Sequence, residues 1–366
     1  MTAAPDLSLW AAARRRLLAD PVARLGLAVL GLIALACLVG PFLTGHPYER
    51  IYYDYPRTPP SLQVYPRPET VGPALERLAL RMRVRAEDVT VEDGTVRMVL
   101  AADKPVDDRA LTFFARSDLF GPATLLGRSE DGRRLTVSVP VRETRFLLGT
   151  DALGRDLLTR ILVAGRVSLA LGLMATGVAL LIGVAYGAAA GYLGGAVDAA
   201  MMRLVDILYA LPFVFFVILL VVVFGRSVAL VFLAVGAVEW LDMARIVRGE
   251  ALAIRRQDYV RAAEALGVGT GAILRRHVVP NALGPVAAYA ALLIPRVILL
   301  ESFLSFLGLG VQEPMTSWGV LIAEGARSIE TSPWMLVAPA LVLVATLIAL
   351  NALGDRLRDA LDPHTA

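Results

Sequence analysis

Cysteine occurs once in these 366 residues, at Cys37, lysine once, at Lys104, and histidine three times, at His46, His277 and His364. A single cysteine forms no internal disulfide, and with the histidines scattered the chain offers no thiolate cluster for a metal. A phosphate-binding loop needs a lysine behind a glycine-rich turn. Lys104 instead follows Ala101-Ala102-Asp103, which excludes ordinary ATPase chemistry from this chain. Strong net charge is lacking too, at +3, and the arginines sit beside apolar runs rather than among aromatics. That arrangement marks membrane flanks and not a nucleic-acid surface.

What abounds is apolar: 57% of residues are hydrophobic, the mean hydropathy is +0.63, and the 19% that are charged fall into islands. Arg14-Arg15-Arg16 and Arg24 precede an uncharged run over residues 25–43, about long enough to cross a bilayer core. Their charge predicts a cytoplasmic N-terminus over 1–24 and a first transmembrane helix over 25–44. A cleaved signal peptide ending near Ala34-Leu35-Ala36-Cys37 is the rival reading.

Residues 45–160 are rich in Arg, Asp, Glu and Pro and contain no span. Helix-like spacing over 73–85 and alternation over 95–101 and 135–141 predict a small α+β extracytoplasmic insert, with a disordered loop as the alternative. Further spans are expected over 167–197, 207–225, 227–244, 282–306 and 334–353, with a short polar turn carrying Asp198, Arg203 and Asp206 before the third. Gly172, Gly177, Gly183, Gly187 and Gly191 in the second would allow close helix packing in lipid. The fold class expected is therefore an all-α polytopic membrane protein of six transmembrane helices, with the α+β insert between helices 1 and 2. Residues 161–366 form its core, and both termini are cytoplasmic.

Counting crossings places the arginine-rich island 245–281 in the cytoplasm. Within it, Tyr259, Ala263 and Leu266 recur at helical spacing and Gly267 can end that helix. A second amphipathic run is expected to stop at Pro280. Ala262 and Ala263 would let another surface approach closely, with Arg261 and Glu264 as a polar rim. The stretch reads as a docking knob.

This stretch resembles the coupling loop of ABC transporter permeases, whose pattern is Glu-Ala-Ala, three residues, Gly, nine residues, Ile-x-Leu-Pro. Arg261-Ala262-Ala263, Gly267 and His277-Val278-Val279-Pro280 keep the spacing, with Arg261, His277 and Val279 departing from its letters. Four further stretches are similar, in order, to the second permease subunit of dipeptide, oligopeptide and nickel importers. They are Leu148-Gly149-Thr150-Asp151 with Gly154-Arg155-Asp156; residues 301–310; Ser332-Pro333-Trp334; and residues 351–363. The insert is longer than that family usually has. The resemblance implies a non-catalytic inner-membrane subunit that forms a pore with a second permease. It also implies two separate ATPase subunits carrying ATP and Mg, and an extracytoplasmic solute-binding protein. No cofactor is expected in this chain. The ATPase-coupling residues would be Tyr259, Arg261, Ala262, Ala263, Glu264, Leu266, Gly267 and Pro280.

Charge inside the membrane costs roughly 2.5–3.5 kcal/mol per residue, so Glu239, Asp242, Arg296 and Glu301 each need a partner or a cavity. Helical rise separates Arg296 and Glu239 by roughly 9 Å in height. They read as pore residues for a charged or zwitterionic solute, as a structural ion pair, or as acids that mark the cytoplasmic end of a short fourth span. Two other classes stay open: a secondary transporter or channel relaying ions through these charges, and a receptor sensing through residues 45–145.

Overall fold

The computed structural model describes residues 9–92, 94–225 and 227–361, so Arg226, His364 and the Asp362-Pro363 end of the last similar stretch lie outside the described residues. The chain forms two compact units: one of residues 44–160 and 329–335, the other of the remainder.

In the smaller unit, α3 (Pro68–Met82) leads into an antiparallel sheet of β1 (Arg85–Glu92), β2 (Thr95–Ala101), β3 (Thr124–Arg128) and β4 (Arg134–Pro140), ordered β1-β2-β4-β3. Val96, Met98 and Leu100 alternate inward on β2, and Leu135, Val137 and Val139 do so on β4, in a core shared with Val71, Leu75 and Leu78 of α3. Period-two burial is what made these two central strands legible. The helix expected over 73–85 starts earlier, with Pro68 at its first position, and stops earlier because Arg83 adopts a left-handed backbone (φ 59°) and Val84 N–H closes on the Ala79 carbonyl at 3.0 Å. β1 and β3 were not expected. Both are edge strands with largely exposed side chains, so neither carries a burial rhythm. A short 3₁₀ turn (Asp108–Leu111) and α4 (Thr112–Arg116) complete the unit.

The larger unit is helical. It contains α1 (Leu9–Ala19), α2 (Pro21–Leu43), most of α5 (Leu157–Leu193), α6 (Gly195–Ala210), α7 (Phe213–Phe224) and α8 (Val228–Arg255). After these come α9 (Asp258–Ala265), α10 (Thr270–Ile273), α11 (Val279–Phe306), α12 (Trp318–Ala326) and most of α13 (Trp334–Leu361). Among the described residues four helical stretches are long and apolar enough to cross a membrane: Pro21–Leu43, Leu157–Leu193, Thr270–Phe306 and Trp334–Leu361. The pair α6 and α7, bent by 84°, makes a fifth if it counts as one span.

Three expectations need correction. The third span is not one straight helix, because Pro212 has no N–H to continue α6 and holds Leu211 extended (ψ 126°). Asp198, Arg203 and Asp206 consequently lie on α6 and not in a turn. Arg245, Arg248 and Arg255 likewise lie on α8, which runs on well past residue 244, and its charges keep it out of the apolar set. Finally, Pro280 does not stop a helix. Leu274–Val278 widens into a π turn, Pro280 occupies the first turn of α11 where a missing N–H costs nothing, and the Asn281 side chain caps the His277 carbonyl at 2.6 Å.

Small residues set the packing of α5. Added Cβ atoms at Gly183, Gly187 and Gly191 would run into Met243, Ala244 and Arg248 of α8, and one at Gly172 would strike Ile298 of α11. Four-residue spacing puts Gly183, Gly187 and Gly191 on one face, so α8 lies directly against bare backbone. Gly177 faces open space.

Candidate functional site

Two constellations stand out, a helical knob and a charged cavity. The knob is α9. Its Val260 and Ala263 are buried in a cluster with Ala251, Ile254, Ile273 and Val278. Tyr259, Ala262 and Leu266, at i, i+3 and i+7, form the exposed stripe, with Leu266 83% exposed. Of the paired alanines, only Ala262 is therefore free to meet another surface. The helix ends in a Schellman closure: Gly267 N–H donates to Glu264 O at 3.0 Å and Val268 N–H to Ala263 O at 3.1 Å, with Gly267 at φ +78°. Arg261 is exposed, and Pro280 lies thirteen residues beyond Gly267 on α11. The Tyr259 and His277 rings stand 6.0 Å apart.

Glu264 is not a free rim charge, because it accepts a hydrogen bond from the Tyr192 hydroxyl at 2.9 Å. This links α9 to the end of α5, 72 positions earlier, and no local pattern in the sequence points to it. Below it, Arg248 forks onto Asp198 with bonds of 2.6 and 2.7 Å, joining α8 to α6. The knob thus sits on a braced helical platform.

The cavity lies at the α6–α7 bend. Arg296 of α11 donates from Nη1 to Asp242 Oδ2 at 2.9 Å, and its Nε stands 3.7 Å from Glu239 Oε2, both acids belonging to α8. The long Arg296 side chain spans the expected height gap and reaches both acids. Glu301 does not join this group. Fully buried, its Oε1 accepts from Ser305 Oγ and Ser317 Oγ, each at 2.7 Å, and so ties α11 to the start of α12. Ser317 also caps α12 by accepting from Val320 N–H. Next to it the Trp318 indole donates to the Ile161 carbonyl at 3.0 Å. These bonds fix α12 against α11 and α5.

In the smaller unit Asp151 gathers Leu153 N–H, Arg155 N–H, the Arg155 Nε and the buried Arg160 Nη1. Asp156 accepts from both the backbone and hydroxyl of Thr159 at 2.7 Å, capping the first turn of α5. Burial pushes its carboxyl above the usual range, against those two hydrogen bonds. The glycine-arginine-aspartate stretch is therefore an anchor and cap.

Residues 180–366, just over half of the chain, match the family of binding-protein-dependent transport system inner membrane components. The chain belongs to that family. It is a multi-pass permease subunit of the inner membrane and the non-catalytic part of an ABC importer. Residues 8–60 match the N-terminal transmembrane domain of oligopeptide transport permease C, so residues 61–179, which hold the whole sheet, lie outside both matches. The chain is 56% identical over 226 residues to the oligopeptide transport system permease protein OppC of Escherichia coli (strain K12), covering 62% of this chain and 75% of that protein. With the OppC of Haemophilus influenzae it shares 51% over 226 residues, 62% of this chain and 73% of the relative. With the dipeptide transport system permease protein DppC of Bacillus subtilis it shares 45% over 216 residues, 59% and 68%.

Proposed function

We propose that this permease carries peptides, or a closely related small solute, across the inner membrane. It would do so as one half of a pore completed by a second, homologous permease. Two ATPase subunits carrying ATP and Mg drive the pair from the cytoplasmic side, and an extracytoplasmic binding protein delivers the solute. The peptide reading rests on the names of the similar permeases. The full topology on this reading is six crossings with both termini cytoplasmic, with α8 as a crossing despite its charges and α6–α7 as a broken one.

The observation that carries the mechanism is the exposed stripe Tyr259, Ala262 and Leu266 on a helix whose other face is locked into the chain. A short helix with an apolar stripe on a braced base transmits force as a rigid body when a partner groove closes on it. Movement of α9 would pass through the Tyr192–Glu264 bond to α5 and through α10, the π turn and α11 to the cavity. Co-purification tests this: a P-loop subunit should come down with the intact chain from membrane extracts, and its consistent absence would overturn the reading.

A further inference from the structure

The cavity at the α6–α7 bend has a volume of about 670 Å³, within the range of sites that hold small molecules. Its wall is mainly apolar: Leu208, Tyr209 and Leu211 come from α6 and the bend, and Leu300 and Phe303 from α11. Set into it are two carboxylates and one guanidinium, Glu239, Asp242 and Arg296, a formal charge of −1. Glu239 is only 3% exposed, yet its Oε2 accepts no hydrogen bond among the described residues, and the Arg296 Nε stands 3.7 Å from it. The Asp242 side chain is partly open, at 20%. An uncompensated negative charge in an apolar wall at membrane depth is costly and wants a cation.

The type of cation follows from the donors. A hard divalent ion takes six or more oxygens at short range, whereas this wall offers two carboxylates with a guanidinium between them and otherwise aliphatic and aromatic carbon. A carboxylate ligand would meet a cluster already in excess of negative charge. An ammonium group supplies three donors and one positive charge, and the apolar wall suits the side chains next to it. Resting on the reading of this chain as a peptide permease, we propose that the cavity recognises the amino terminus of the passing peptide. The ammonium would dock on the Asp242 carboxylate, Glu239 would hold the second negative charge behind it, and Arg296 would keep the two acids apart.

The test is uptake by the complete complex, with its binding protein, in proteoliposomes. The probes are trileucine, N-acetyl-trileucine, and N-acetyl-dileucyl-lysine, which carries its ammonium on a side chain. The binding protein's own preference is common to wild type and variants, so it cancels when their ratios are compared. Glu239→Gln and Asp242→Asn each neutralise the cluster, and each should lower the trileucine to N-acetyl-trileucine uptake ratio at least tenfold, equivalent to about 1.4 kcal/mol. If one variant fails to assemble, the other decides. A parallel loss for N-acetyl-dileucyl-lysine would support an ammonium site that accepts either source, and no loss there would restrict it to the amino terminus. An unchanged ratio in the assembled variants overturns the ammonium site while leaving the permease reading in place. If the wild-type complex takes up none of the three, the peptide reading falls, and the ammonium site with it.

Discussion

Gly267 is the most exposed point of the coupling argument. It sits at φ +78° with nothing within 4 Å of where a Cβ would stand, so substitution there creates no clash and acts through the backbone alone. A residue with a Cβ in left-handed conformation costs roughly 1–2 kcal/mol, more for a β-branched one, while Asn tolerates it best. That penalty falls on the two hydrogen bonds closing α9, from Gly267 to Glu264 and from Val268 to Ala263. A factor of about 5–30 in the local equilibrium follows. Leu266, at the end of the exposed stripe, is the side chain whose position is lost. In proteoliposomes containing the whole complex, Gly267→Val should keep assembly but raise the ATP hydrolysed per solute transported severalfold. Gly267→Asn should stay near wild type. Equal coupling in the Val and Asn variants would refute the reasoning, since they differ in tolerance of this backbone far more than in size.

Gly187→Ala places a methyl against the Ala244 carbonyl and Val247 of α8. It should lower stability by about 1–3 kcal/mol, seen as a reduced thermal midpoint of the purified complex, whereas Gly177→Ala in open space should not. Ser317→Ala removes both the α12 cap and a donor to buried Glu301, and the same measurement should show a loss of about 1–3 kcal/mol. Asp156 has a folded pKa raised by burial, so the fold holds its proton more tightly than the unfolded chain. Its contribution to stability is therefore largest at low pH and falls as pH rises through the unfolded carboxylate value, levelling off above the folded one. Asp156→Asn should flatten that part of the pH profile of thermal stability, while Asp156→Ala should cost about 1 kcal/mol through loss of the cap.

Legibility followed periodicity. The central strands β2 and β4 and α9 each repeat a burial rhythm along the chain, the first span is an uncharged apolar run, and each was readable within a residue or a few. Edge strands β1 and β3 bury too little to carry such a rhythm. Proline misled in both directions: Pro280 begins a helix that it was expected to end, and Pro212 breaks a span read as continuous. In each case the outcome depended on whether the missing N–H fell in a first turn or after an established helix, a difference of register that residue type alone does not record.

Membrane residence, the absence of ATPase chemistry, the family and the glycine face of α5 belong to the sequence itself, because each depends on composition or on spacing along one element. The contacts that join elements belong to the tertiary structure. Tyr192 meeting Glu264, Glu301 meeting Ser317, and Glu239 and Asp242 sharing Arg296 around a cavity connect residues 16 to 72 positions apart. Their partners are chosen by how helices cross. Only the packed chain shows that Ala263 faces inward, that Glu264 is already bonded, and that Glu239, Asp242 and Arg296 form one cluster at a bend while Glu301 bonds elsewhere.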